Sequence, residues 1–168
     1  PAYVWLAQIN QNKSIEQVKT WAQQAFDSIN PNPIFQEQKK LIDLFKRNQI
    51  KVYIVTASIK WAVEPGARAL GLSAEDVIGV ETKIVNGLIT DETIHPITYR
   101  QGKVDALLNV TKNKKPFFCS GNTIGDFELL NCATDLKLAV SAAARDDRLF
   151  KSENELLQDA ARLSWWGH

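Results

Sequence analysis

The sequence predicts an α/β fold in which a Rossmann-like parallel sheet is flanked by helices. Three observations carry that expectation. Short, β-branched runs such as Val52-Tyr53-Ile54-Val55 and Val77-Ile78-Gly79-Val80 suit strands buried on both faces. Between them lie stretches with helical apolar spacing. Strands alternating with helices favour parallel pairing, because each crossover needs a covering helix.

The first fifty residues hold no strand pattern. Pro1 to Ile9 reads as helix, with a replacement strand over Ala2 to Ile9 as an open alternative. Ser14 can cap the next helix, with Gln17 at capping-box spacing. Ile15, Val18, Trp21, Ala22, Ala25 and Phe26 then recur at helical intervals. Asn30-Pro31-Asn32-Pro33 breaks the chain. Phe35, Leu41, Ile42, Leu44 and Phe45 mark another amphipathic helix, closed by Lys46-Arg47.

The period then changes. A strand over Lys51–Val55 leads to a helix from about Trp61 to Leu70, stopped by Gly71. Val77 to Val80 is a strand, and Lys83 to Ile89 a hairpin with Asn86-Gly87 at its tip. Val104 to Val110 is helical, Pro116 to Cys119 a strand, Phe127 to Ala133 a helix, Leu136 to Val140 a strand and Glu153 to Leu163 a helix.

Composition narrows the function classes. The 168 residues carry 20 Lys+Arg against 19 Asp+Glu, with no basic block, which argues against nucleic-acid partners. No apolar run reaches the ~18 residues of a membrane helix. Two cysteines define neither a disulfide framework nor a zinc site. There is no methionine, as a trimmed start or a fragment would show, and no signal peptide is visible at Pro1. The expected compartment is cytoplasmic, with periplasmic or secreted location left open.

Ligands of parallel sheets bind beyond the carboxyl ends of the strands. At the first such end stands Thr56-Ala57-Ser58, which can hold a phosphate through the Thr56 hydroxyl and main-chain N–H groups. A threonine closing a strand is more often a plain helix cap. The later strand runs into Ser120-Gly121-Asn122-Thr123-Ile124-Gly125-Asp126, a glycine loop that presents a carboxylate. Magnesium takes such oxygen ligands, although Asp126 could simply cap the following helix. Lys103, after Gly102, opens a helix, where a lysine is ordinarily solvent-exposed.

Taken in order, Val55-Thr56-Ala57-Ser58, Gly102-Lys103 and Gly121-Asn122-Thr123-Ile124-Gly125-Asp126 resemble motifs two, three and four of the haloacid dehalogenase (HAD) superfamily. The likeness is to its phosphoserine-phosphatase-like and phosphorylcholine-phosphatase-like members. Val63-Glu64-Pro65, Leu70-Gly71-Leu72 and Asn86-Gly87 are also similar to that branch. The resemblance covers roughly Phe35 to Ala161. It implies a magnesium-dependent phosphatase acting on a small phosphomonoester through an aspartyl-phosphate. Thr56 and the Ala57 amide would hold the phosphoryl group, Lys103 would neutralise charge, and Asn122 and Asp126 would bind Mg2+. Residues 1–32 would be the remnant of a helical cap and 33–168 the α/β core.

Two departures stand out. The family's first motif, an Asp-x-Asp carrying the nucleophile, occurs nowhere in the sequence. The expectation is a missing or separate N-terminal segment that completes the sheet with its central strand, between the strands ending near Thr56 and Cys119. A catalytically inactive binding or regulatory protein is the alternative. The second departure is Asn122, where many relatives place aspartate. Trp5 and Trp21 read as core packing, with a pocket lining as the alternative, and His95 as a solvated loop residue.

Overall fold

The computed structural model describes residues 2–31 and 34–168. The break expected at Asn30-Pro31-Asn32-Pro33 lies partly outside them. The chain forms two compact units, Pro1–Ile97 and Thr98–His168. Among the described residues no helix is long and apolar enough to cross a membrane.

The first unit opens with helices α1 (Ala2–Gln8), α2 (Ile15–Asp27) and α3 (Gln36–Arg47). Ser14 caps α2 as its residue type predicts, its hydroxyl accepting from Gln17 N at 3.2 Å. Ala2–Gln8 is helical, which rules out the alternative of a substitute strand over Ala2–Ile9. Its buried residues, Val4 and Ala7, are three apart, the spacing of one helical face.

Strand β1 (Ile54–Ile59) pairs in parallel with β2 (Val77–Val80), and α4 (Lys60–Ala69) connects them. Gly71, at φ +70°, ends the α4 region in the left-handed conformation that a helix stop favours. The start of α4 lies close to β2 at Gly79, where an added Cβ would come within 2.8 Å of Lys60 Cα. The strand expected over Lys51–Val55 is therefore shifted. Only Ile54 and Val55 of that run belong to it, and Thr56-Ala57-Ser58 lie within the strand instead of in a turn beyond it. Val55 pairs with Ile78 and Ile59 with Val80, so β1 advances four residues while β2 advances two. The surplus is a bulge centred on Thr56–Ser58. Nor is β1 buried on both faces: its residues are half-buried, with Ser58 exposed.

The hairpin follows its sequence signal. β3 (Thr82–Val85) and β4 (Leu88–Thr93) are antiparallel. Asn86 and Gly87 have φ of 52° and 78°, the positive values that a type I′ turn requires. The link between α1 and α2 is laced to this hairpin. Asn12 N donates to Ile89 O, Ile89 N to Lys13 O and Ile15 N to Gly87 O, at 2.9–3.0 Å. Ala7, Val18, Trp61, Val80 and Ile89 form one core cluster beneath that lacing, and Ala67, Leu72 and Val77 form a second.

The second unit contains α5 (Gln101–Val110), β5 (Phe118–Gly121), α6 (Phe127–Cys132), β6 (Leu136–Ala139), α7 (Phe150–Arg162) and a short strand β7 (Trp166–Gly167). The strands are parallel in the order β5-β6-β7. β7 carries no sequence signal at two residues. It is held by main-chain bonds, with His168 N donating to Ala139 O at 2.9 Å. Leu130, Ala139, Leu156 and Ala160 are at most 1% exposed and mark this unit's core.

Trp5 and Trp21 correct another expectation. They are 60% and 44% exposed, so neither packs into the core, whereas Trp61 is buried. α1 turns Val4 and Ala7 inward, which leaves Trp5 outside that face, whereas on α2 Trp21 is three residues from the buried Val18 and shares its face but stays exposed. His95 is exposed on its loop, as expected.

Candidate active site

Three of the predicted residues, Lys103, Asn122 and Asp126, come together in the second unit. Lys103 is the third residue of α5, and its side chain is 9% exposed. A buried ammonium in the first turn of a helix is disfavoured by both desolvation and the dipole. Its partner accounts for its position: Lys103 Nζ donates to Asp126 Oδ1, with the aspartate side chain equally buried.

Asp126 closes the loop that leaves the carboxyl end of β5. Its second oxygen, Oδ2, accepts from Asn122 N at 3.2 Å and Thr123 N at 3.1 Å, with Thr123 Oγ1 at 3.4 Å. The Thr123 contacts form a capping box for the 3-10 turn Ile124–Asp126. Asp126 is thus both a cap, the plainer expectation, and the partner of a buried cation. The glycines of this loop allow close approach, not unusual φ angles. A Cβ on Gly121 would lie 2.5 Å from Asp126 Cβ and 2.9 Å from Leu130 Cδ1. A side chain at position 121 would push the carboxylate out of place.

Asn122 is exposed, and its Nδ2 donates to Glu153 Oε1 at 2.9 Å. Glu153, in the first turn of α7, is 3% exposed. Its Oε2 accepts from Ser141 Oγ at 3.0 Å and from Ala142 N and Ala143 N, each at 2.9 Å. Burial alone would raise the Glu153 carboxyl, but the Ala143, Asn122, Ala142 and Ser141 donors outweigh it and hold the pKa below the usual range. Sequence reasoning missed this residue. The small run Ser141-Ala142-Ala143 after β6, which frees backbone amides for an acceptor, is the available signal.

Thr56 and Ala57 belong to the first unit. Thr56 Oγ1 accepts from Ser58 N at 3.0 Å, a hydroxyl turn that shapes the bulge. That bond occupies the Ser58 amide, one of the main-chain groups expected to be open to a phosphate.

The second-unit residues fit part of a magnesium site and not a whole one. Asp126 and the Asn122 carbonyl are oxygen donors of the right kind on one loop. Both Asp126 oxygens already accept hydrogen bonds. Among the described residues no three His, Cys, Asp or Glu side chains are grouped to hold a metal.

A model of the haloacid dehalogenase-like hydrolase family matches residues 2–131. Solved structures share the fold at low identity. A conserved functionally unknown protein from Anaerococcus prevotii DSM 20548 aligns with a TM-score of 0.75 and 22% identity, over 95% of this chain and 50% of its own. A protein of unknown function from Bordetella pertussis Tohama I gives 0.80 at 15% identity, over 99% and 72%. A phosphoserine phosphohydrolase-like protein from Francisella tularensis subsp. tularensis SCHU S4 gives 0.59 at 16%, over 89% and 65%. The chain therefore spans half the length of the Anaerococcus protein. No curated protein sequence matches it. With the family model covering most of its length, the chain belongs to the haloacid dehalogenase-like hydrolases.

Proposed function

We propose that this chain is part of a magnesium-dependent phosphatase that hydrolyses a small phosphomonoester through an aspartyl-phosphate. The nucleophile would come from an N-terminal segment carrying an Asp-x-Asp, because none occurs in the 168 residues. That segment would add the central strand of the sheet. Strand edges left unpaired are otherwise open to association with other chains.

The observation that carries this reading is the buried Lys103–Asp126 pair at the carboxyl end of a parallel strand. Phosphoryl transfer is catalysed mainly by positioning and by stabilising charge on the transferred group. Lys103 is a cation held in place at low exposure. Thr56 and the Ala57 amide would hold the phosphoryl oxygens. Mg2+, when bound, supplies further neutralisation of phosphoryl charge. Asp126 and Asn122 would be its ligands from this chain, with other carboxylates from the added segment.

The test is reconstitution. The 168-residue chain alone should show no turnover of phosphomonoesters. Adding or fusing a first-motif segment should give hydrolysis that EDTA abolishes and Lys103→Ala removes. Metal-dependent activity of the verified 168-residue chain, lost in Asp126→Ala, would show that the nucleophile has been misassigned.

A non-catalytic binding or regulatory protein is the second reading. Both Asp126 oxygens already accept hydrogen bonds, Oδ1 from Lys103 and Oδ2 from Asn122 N and Thr123 N, which favours it. Phosphate binding without turnover, after the segment has been supplied, would support that reading over the first.

A further inference from the structure

We infer that Glu153 is a positioning residue of the candidate site: it fixes which end of the Asn122 amide faces a ligand. This rests on the proposed site, but its first readouts do not depend on catalysis. An asparagine amide has a donor end and an acceptor end of nearly equal shape. An ionised carboxylate can only accept, so Asn122 must turn its NH2 towards Glu153 Oε1. The carbonyl oxygen is then the end left for a cation or a water.

Glu153 cannot be replaced by its own amide without reversing that choice. Its Oε2 accepts from Ser141 Oγ, Ala142 N and Ala143 N. A glutamine in its place would have to set its carbonyl against those three donors. Its NH2 would then meet Asn122, which must flip to accept. The flip presents the Asn122 NH2 group where an acceptor stood.

The pair also accounts for asparagine at position 122. An aspartate there would set a second carboxylate about 3 Å from a buried one, and like charges so close cannot both remain ionised. The negative charge sits one residue deeper, on Glu153, and reaches the loop through a hydrogen bond.

Three variants test the inference against wild type: Glu153→Gln, Asn122→Asp, and both together. In Glu153→Gln the side-chain amide resonances of Asn122 should shift in NMR spectra as the carboxylate partner is lost, with the thermal midpoint within a few degrees of wild type. Asn122→Asp should lower the midpoint. The double variant should recover it, because the amide introduced at position 153 can donate its NH2 to the carboxylate introduced at position 122. With a first-motif segment supplied, Glu153→Gln should lower kcat at least tenfold with KM within about twofold, and the double variant should restore kcat. Unshifted Asn122 resonances in Glu153→Gln, or a double variant no more stable than Asn122→Asp, would overturn the inference. So would a wild-type kcat in Glu153→Gln. If the completed wild-type protein is inactive, the phosphatase reading fails, and the resonances and the midpoint rescue still decide whether Glu153 sets Asn122.

Discussion

Lys103 Nζ and the Asp126 carboxylate pair across 23 residues of sequence, each side chain 9% exposed, and they tie α5 to the loop after β5. Removing one member would strand the other as a buried, unpaired charge. Lys103→Met should cost about 3–5 kcal/mol of stability, and Lys103→Met with Asp126→Leu less than the two changes summed. Urea unfolding of the three variants measures both effects.

Gly121→Ala should destabilise by about 1–3 kcal/mol, the usual range for overpacking. The added Cβ meets Asp126 Cβ at 2.5 Å and Cγ at 2.8 Å. Neither is the loose end of a flexible chain, so the loop must move. An unfolding midpoint equal to that of wild type would show that the loop is softer than its packing implies.

Stability should depend on pH through Asp76 and Lys51, which pair in the first unit. Burial pushes the Asp76 carboxyl up, but the Lys51 hydrogen bond and the Ser73 donors outweigh it, so the net shift is downward. The Asp76 contribution is therefore complete above its unfolded pKa of about 3.9 and is lost as pH falls through the lower folded value. Lys51 is shifted upward, chiefly by its bond to Asp76. Its contribution is complete below about 10.4 and is lost as pH rises through the higher folded value. Asp76→Asn should flatten both limbs of a plot of urea midpoint against pH. Since Lys51 is largely exposed, the alkaline limb should be shallow.

The Cys119 thiol is pushed up to about 12, mainly by burial. The thiolate is the reactive form, so Cys119 in the native protein should resist alkylation at pH 8 and react fully in denaturant. Alkylation followed by peptide mass spectrometry distinguishes it from the half-buried Cys132.

Much of this was legible because local chemistry and fold agree. The Ser14 cap, the Gly71 stop and the Asn86-Gly87 turn each impose one backbone conformation, and each appears where the residue type predicts it. Motif order points to Lys103 and Asp126, and the fold brings those two side chains into contact. The bulge in β1 was not legible, because Thr56-Ala57-Ser58 suits a turn as well as a strand and only the register against β2 decides. Glu153 was missed because two of its four donors are backbone amides, which leave no mark in the side-chain pattern, and Asn122 lies 31 residues away. The exposure of Trp5 and Trp21 is not legible, because an apolar stretch over Ala2 to Ile9 does not say which face turns inward, and the face that buries Val18 leaves Trp21, three residues on, exposed.

The main-chain lacing of 12–15 onto the hairpin has a mechanical consequence. Three bonds, from Asn12 N, Ile89 N and Ile15 N, run between that link and β4 or its turn. Helices α1 and α2 thus form one lever with β3 and β4, and bending between them requires all three bonds to break together. The hinge for any swing of this lever must therefore lie outside the laced stretch. Hydrogen exchange would reveal the lever as a single cooperative unit, with the amides of Asn12, Ile15 and Ile89 opening at one common rate.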